Sequence, residues 1–160
     1  MSRALCFALL TCCARMPPAE MAADGGWQPT VEDLDPQPGA VEPTARFTVR
    51  FSAPMDEGQL LAASGRSESV ALAAEADAER AAAAIEHAPL SAHERALLVA
   101  AAASVASDRR SITLAPDRPL APGGYALLVS PRLKDESGRK LLDTLSLPSP
   151  LHRNTETGLT

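Results

Sequence analysis

The chain has 160 residues, enough for one domain with flanking segments. Hydrophobic residues make up 46% but are swollen by alanine, and aromatics are only 3%, so few large side chains are left to build a core. The net charge of -5 argues against a phosphate-binding surface, which needs clustered Lys and Arg, and nucleic acid is not an expected partner.

Residues 1–14 carry Arg3, an apolar run from Ala4 to Leu10 and then small residues, the layout of a signal peptide. The run is too short for a membrane-spanning helix, which needs about 20 apolar residues. Cys6, Cys12 and Cys13 all fall here, so the remainder has no disulfide, no Cys metal site and no Cys nucleophile. Leu10-Thr11-Cys12-Cys13 also has the form of a bacterial lipobox, in which Cys13 or Cys12 would carry the lipid. The alternatives are an ordinary cleaved export signal, or a misplaced start codon on a cytoplasmic protein. Residues 15–37 read as a flexible linker, because Pro17, Pro18, Gly25, Gly26, Pro29 and Pro36 interrupt any periodic pattern. Trp27, the single Trp, is expected to pack against the first strand rather than to anchor a partner.

The first clear strand is predicted at 45–51, where Phe47, Val49 and Phe51 alternate with Arg46, Thr48 and Arg50. Val31 to Leu34, or Ala40 and Val41, could supply a shorter strand before it. Pro54-Met55-Asp56-Glu57-Gly58 ends the strand, with Met55 plugging the core and Asp56 capping backbone. Asp56 and Glu57 as cation ligands is the lesser reading, because a hard-cation loop needs several oxygen ligands at fixed spacing. Another strand is predicted at 68–72, with Val70 and Leu72 facing in.

The pattern then changes. Glu75 to His87 is Ala-rich with Glu and Arg, the composition of highest helix propensity, and Pro89 stops it. Ser91 and Glu94 have capping-box spacing, and Leu97, Leu98 and Ala101 continue an apolar helical face to about Ser104. The spacing therefore predicts a helical hairpin over 75–104, inserted between strands to cover an edge or face of a sheet.

Ile112 and Leu114 mark the next strand, and Pro116, Pro119 and Pro122 forbid further ladder pairing. Gly123 and Gly124 allow a bend, after which Tyr125, Leu127 and Val129 restart the alternation. Leu120-Ala-Pro122-Gly123-Gly-Tyr125 has the layout of a tyrosine corner, in which a strand-entry Tyr ties its hydroxyl to backbone upstream. Asp135 to Gly138 form the next turn, and residues 148–160 read as a disordered tail.

Four phrases stand in one order: Pro38-Gly-Ala-Val41, Arg46-Phe-Thr-Val-Arg-Phe-Ser-Ala-Pro-Met-Asp56, Leu114-Ala-Pro-Asp-Arg-Pro-Leu-Ala-Pro-Gly-Gly-Tyr125 and Leu133-Lys-Asp-Glu-Ser-Gly138. This order resembles the bacterial Ig-like domain named after the surface-layer protein SbsA. The resemblance covers most of 36–142, with a poorly matching middle, and Arg139 stands where the family usually has Asn. It implies a non-catalytic module of cell-envelope or exported proteins.

No catalytic constellation emerges. His87, His93 and His152 have no metal-ligand spacing. Ser91 is near His93, but a capping serine has its hydroxyl engaged. Asp135 and Glu136 are adjacent carboxylates in a turn, not a pair held across a cleft.

The expected fold is mainly β, an Ig-like antiparallel β-sandwich over 38–147 with the helical insert, and no cofactor is expected. The expected function is a structural or adhesive module of the bacterial envelope, lipid-anchored in the outer membrane, periplasm or cell surface. The alternative is a secreted binding domain presenting the insert and the turns to a protein or glycan partner.

Overall fold

Phe47, Val49 and Phe51 are fully buried while Arg50 between them is exposed, and this period of two forms a strand with one face in the core. In the computed structural model, residues 27–37, 39–87 and 89–142 are described, together with the strand backbone of 152–154. The expected leader, with Cys12 and Cys13, lies outside the described residues.

In chain order the elements are β1 (Val31–Asp35), β2 (Phe47–Phe51), α1 (Glu57–Leu60), β3 (Val70–Ala74), a 3-10 turn (Glu75–Asp77) and α2 (Ala78–Ile85). They continue with α3 (Ala92–Arg95), β4 (Ala101–Val105), β5 (Ser111–Pro116), β6 (Gly123–Val129) and β7 (His152–Asn154). The chain is thus mainly strands with a few short helices. One antiparallel sheet has the order β1-β2-β5-β4 and the other the order β3-β6-β7. Thr48 and Thr113 are register partners, and their hydroxyls lie 2.9 Å apart, a cross-strand pair on the outer face of the first sheet.

Both sheets feed one core. The first contributes Phe47, Val49, Phe51, Ile112 and Leu114; the second contributes Val70, Leu72, Tyr125 and Leu127. Met55, Leu60 and Leu133 close one end, all essentially inaccessible to water. Each such large side chain contributes about 1.5–3 kcal/mol by leaving water. With so few aromatics, the two phenylalanines of β2 form the heaviest part of that core.

β3 and β6 are buried on both faces, which the alternation alone did not predict. The outer face carries Ala73, Ala126 and Leu128, and α2 covers it with Ala78, Ala81, Ala84 and Ile85. Those helix positions recur at intervals of three and four residues, a single stripe. Alanine on that stripe lets the helix lie close to the sheet.

Three expectations are corrected. The predicted second helix stops at Arg95, and 101–105 is instead β4, paired with β5 from Ala101↔Pro116 to Val105↔Ile112. Val99, Ala101, Ala103 and Val105 pack on the main core while Ala102 and Ser104 stay exposed, so a ladder with burial overrides alanine's helix propensity. Residues 31–35 lie inside the expected linker but form β1, the first of the two short strands offered there (Val31 to Leu34), and the fold reaches back further: Leu142 N–H donates to the Pro29 carbonyl at 2.8 Å. β1 sits at a sheet edge and stops before Pro36, where a missing donor costs no ladder bond. Within the expected tail, His152–Asn154 pair with Gly123–Tyr125.

Two sheet edges, β3 and β4, are partly covered. Val99 N–H donates to the Leu72 carbonyl at 2.7 Å along the free side of β3. Ala103 N–H donates to the Gly65 carbonyl at 2.9 Å, and Arg66 Nη1 donates to the Ala101 carbonyl at 3.1 Å, along the free side of β4. These bonds occupy groups that would otherwise template pairing with another chain.

Candidate functional site

Sequence-predicted residues gather at opposite ends of the sheets. At one end, the β5–β6 connection carries Leu120 and Pro122 and leads into Gly123 and Tyr125 of β6. Leu120 is buried, and its N–H donates to the Pro43 carbonyl at 2.8 Å. The Tyr125 hydroxyl donates to the Ala121 carbonyl at 2.9 Å, while its ring joins the main core. This hydroxyl is a backbone clamp, not a reactive group.

At the other end, the segment after β2 meets the segment after β6. Met55 pairs with Asp135 across an isolated antiparallel bridge. Asp56 caps α1: its Oδ1 accepts from Gly58 N–H at 2.9 Å. Asp135 is almost completely buried; its carboxylate accepts from Ser137 N–H (2.9 Å), Arg139 N–H (2.8 Å) and Arg139 Nε (2.7 Å), and forms an ion pair with Arg139 Nη2 at 2.7 Å. Gly138 sits at φ 80°, the left-handed conformation the turn requires. Glu136 pairs with Arg109. All the carboxylates singled out in these turns except Glu57 are therefore engaged in holding them, and among the described residues no three His, Cys, Asp or Glu side chains gather to hold a metal.

Arg139 does what the sequence did not foretell. Besides clamping Asp135, its guanidinium lies 4.5 Å from the centre of the Trp27 ring. Trp27 is therefore fixed to the 135–139 turn. The arginine side chain is long enough to reach both partners.

His87 and His93 are exposed near Glu94. Ser91 and Glu94 make the reciprocal capping box: Glu94 N–H donates to Ser91 Oγ at 3.2 Å, and Ser91 N–H donates to Glu94 Oε2 at 2.7 Å. The Glu94 carboxyl is held below its ordinary value first by the Ser91 side chain, then by the Ser91 backbone N–H, with His87 and His93 adding attraction. With Ser91 oriented as a cap, it is not presented to His93 as a nucleophile.

A groove of about 570 Å³ opens beside α1, lined among others by Gln59, Glu68, Ser130, Arg132, Lys134 and Lys140. Sequence reasoning missed it, because its cations come together only through the fold.

No protein-family model matches the sequence, and no curated protein matches it. Among solved structures the chain is similar to the S-layer protein rSbsC(31-844), at 15% identity and TM-score 0.44, over 80% of this chain and 13% of that one. It is similar to domains 1-6 of surface layer protein SbsC at 15% identity and TM-score 0.44, over 74% and 13%. The N-terminal part of the bacterial S-layer protein SbsC gives 16% identity and TM-score 0.43, over 71% and 21%. The chain thus spans 13% to 21% of the length of these structures.

Proposed function

We propose that the chain is an Ig-like β-sandwich serving as a non-catalytic structural module of the bacterial cell envelope. The observation that carries the fold is strand order: 1-2-5-4 in one sheet and 3-6-7 in the other. That is the ABED and CFG arrangement of a constant-type immunoglobulin domain. Tyr125 stands near the start of the sixth strand with its hydroxyl bonded upstream, the place and bond of a tyrosine corner. Of the family phrases, Arg46–Asp56 spans β2 and Leu114–Tyr125 runs from β5 into β6.

The polar groups support a scaffold role. Asp56 caps a helix, Asp135 holds a turn, and Ser91 closes a capping box. α2 uses its small-residue stripe against the sheet, so that face is taken up by packing rather than offered to a partner. The envelope assignment rests on the 1–14 leader and on the family phrases, with lipid at Cys13 or Cys12 as the anchor.

The test is fractionation of a C-terminally tagged chain, wild type beside Cys13→Ser and Cys12→Ser. Membrane partitioning that either Cys change abolishes identifies a lipoprotein. A soluble pool outside the cytoplasm in all forms identifies a plain export signal. Retention of the wild type in the cytoplasm sinks the envelope reading.

A further inference from the structure

Arg132, Lys134 and Lys140 line one groove, formed by α1, the residues leading into β3, the end of α2 and the segment after β6. Lys134 and Lys140 are direct partners in an antiparallel bridge across the 135–139 turn. Their side chains therefore leave the same face of the hairpin, with Cβ atoms about 5 Å apart. Arg132 stands two residues before Lys134 and opens on the same groove.

Like charges placed directly opposite one another destabilise a strand pair. Neither lysine makes an ion pair with a described residue. The carboxylate lining the groove, Glu68, is committed elsewhere: it pairs with Arg95 Nε at 2.7 Å and accepts from Leu90 N–H at 3.2 Å. Below them, the Ser69 and Ser130 hydroxyls donate to the Gln59 and Ile85 carbonyls, which fixes the floor. A chain of net charge -5 thus concentrates cations at one concave place.

We propose that this groove binds a multivalent oxyanion, a ligand carrying carboxylate or phosphate groups at close spacing. The anion supplies the countercharge that the Lys134–Lys140 pair lacks. Arg132, whose Nη1 donates to the Glu86 carbonyl at 3.0 Å, is held at the rim as the third cation. The site is independent of the envelope reading: an anion could be bound there wherever the chain resides.

The experiment is thermal unfolding of the full chain at low salt, titrated with tripolyphosphate and separately with citrate. It compares wild type, Lys134→Gln, Lys140→Gln and, as a charge control, Arg118→Gln in the β5–β6 connection. The wild-type midpoint should rise saturably with at least one anion, since a ligand that binds only the folded state stabilises it. Each Lys change should weaken apparent affinity about tenfold or more, the scale of one charged hydrogen bond. Without anion, Lys140→Gln should be at least as stable as wild type, because the facing repulsion is gone. Arg118→Gln should respond as wild type does. A response to tripolyphosphate alone assigns a phosphate-bearing ligand, and to citrate alone a carboxylate-bearing one. No wild-type response, or an equal response in Lys140→Gln, overturns the proposal. Lys140 is exposed, so that variant carries the test even where Lys134→Gln fails to fold.

Discussion

Glu75 lies against Gly124 so closely that a Cβ on the glycine would overlap the Glu75 carboxylate. It would also sit 3.0 Å from Cδ and 3.1 Å from Cβ of Glu75. The cause is register. Ala74 and Tyr125 are the last partners of β3 and β6, and the chain turns into the 3-10 turn at the next residue, directly beside Gly124. The carboxylate could swing aside, but Cβ of Glu75 is fixed to the backbone.

Gly124→Ala should therefore destabilise the fold by about 1–3 kcal/mol, the range for overpacking a close contact. Glu75→Ala should recover part of that loss, because it removes Cδ and the carboxylate but not Cβ. A double-mutant cycle in urea measures the coupling. Strict additivity would mean that the two residues do not touch.

Tyr125→Phe isolates the hydroxyl bond to Ala121 while leaving the ring in the core. The loss should be about 1 kcal/mol in urea unfolding, with an unchanged slope. No measurable loss would remove the tyrosine corner from the case for an Ig-like fold.

Arg139→Asn substitutes the residue the resembling family carries. Asp135 would keep its two backbone donors and lose its ion pair, and Trp27 would lose the cation on its face. The change should cost about 2–3 kcal/mol, as expected for bonds to a buried charge whose partner is half exposed. Trp27 is the single tryptophan, so its emission reports the same event and should shift to the red. An unchanged spectrum would place Trp27 away from the turn.

Acid should weaken the start of α3. The folded Glu94 carboxyl titrates below its ordinary value of 4.5, so its contribution is present above that pH and is lost as the pH falls through the folded value. Glu94→Gln removes the charge and should flatten the acid limb of a plot of unfolding midpoint against pH. An acid limb identical to wild type would show that the box adds no pH dependence.

What the sequence disclosed follows from side-chain size. Phe47, Val49 and Phe51 show a period of two because large apolar residues alternate with polar ones, and β2 was legible. Ala101, Ala103 and Val105 follow the same period, but alanine and serine blur the contrast, and the run looks helical until β5 is beside it. Pro29, Pro36, Gly25 and Gly26 gave 15–37 the texture of a linker, yet an edge strand tolerates such neighbours. Among site residues, the roles of Asp56 and Ser91 were readable because caps are local. Lys134 and Lys140 were not, since only the hairpin register brings them face to face.

Whether α2 is scaffold or recognition surface can be decided on its two faces. Ala81 is fully buried between the helix and the outer face of β3 and β6, whereas Ala83 on the same helix is exposed. If packing is the helix's task, Ala81→Leu must push α2 off Ala73, Ala126 and Leu128, at a cost of about 1–3 kcal/mol. Ala83→Leu adds the same atoms on the solvent side, where substitutions usually fall within about 0.5 kcal/mol of wild type. Paired urea titrations make the comparison, and leucine's helix propensity is shared by both variants, so it cancels. Equal stabilities would mean that the helix rides loosely on the sheet, free to present a face to a partner. A loss confined to Ala81→Leu would mean that the sheet needs the helix to close its second core.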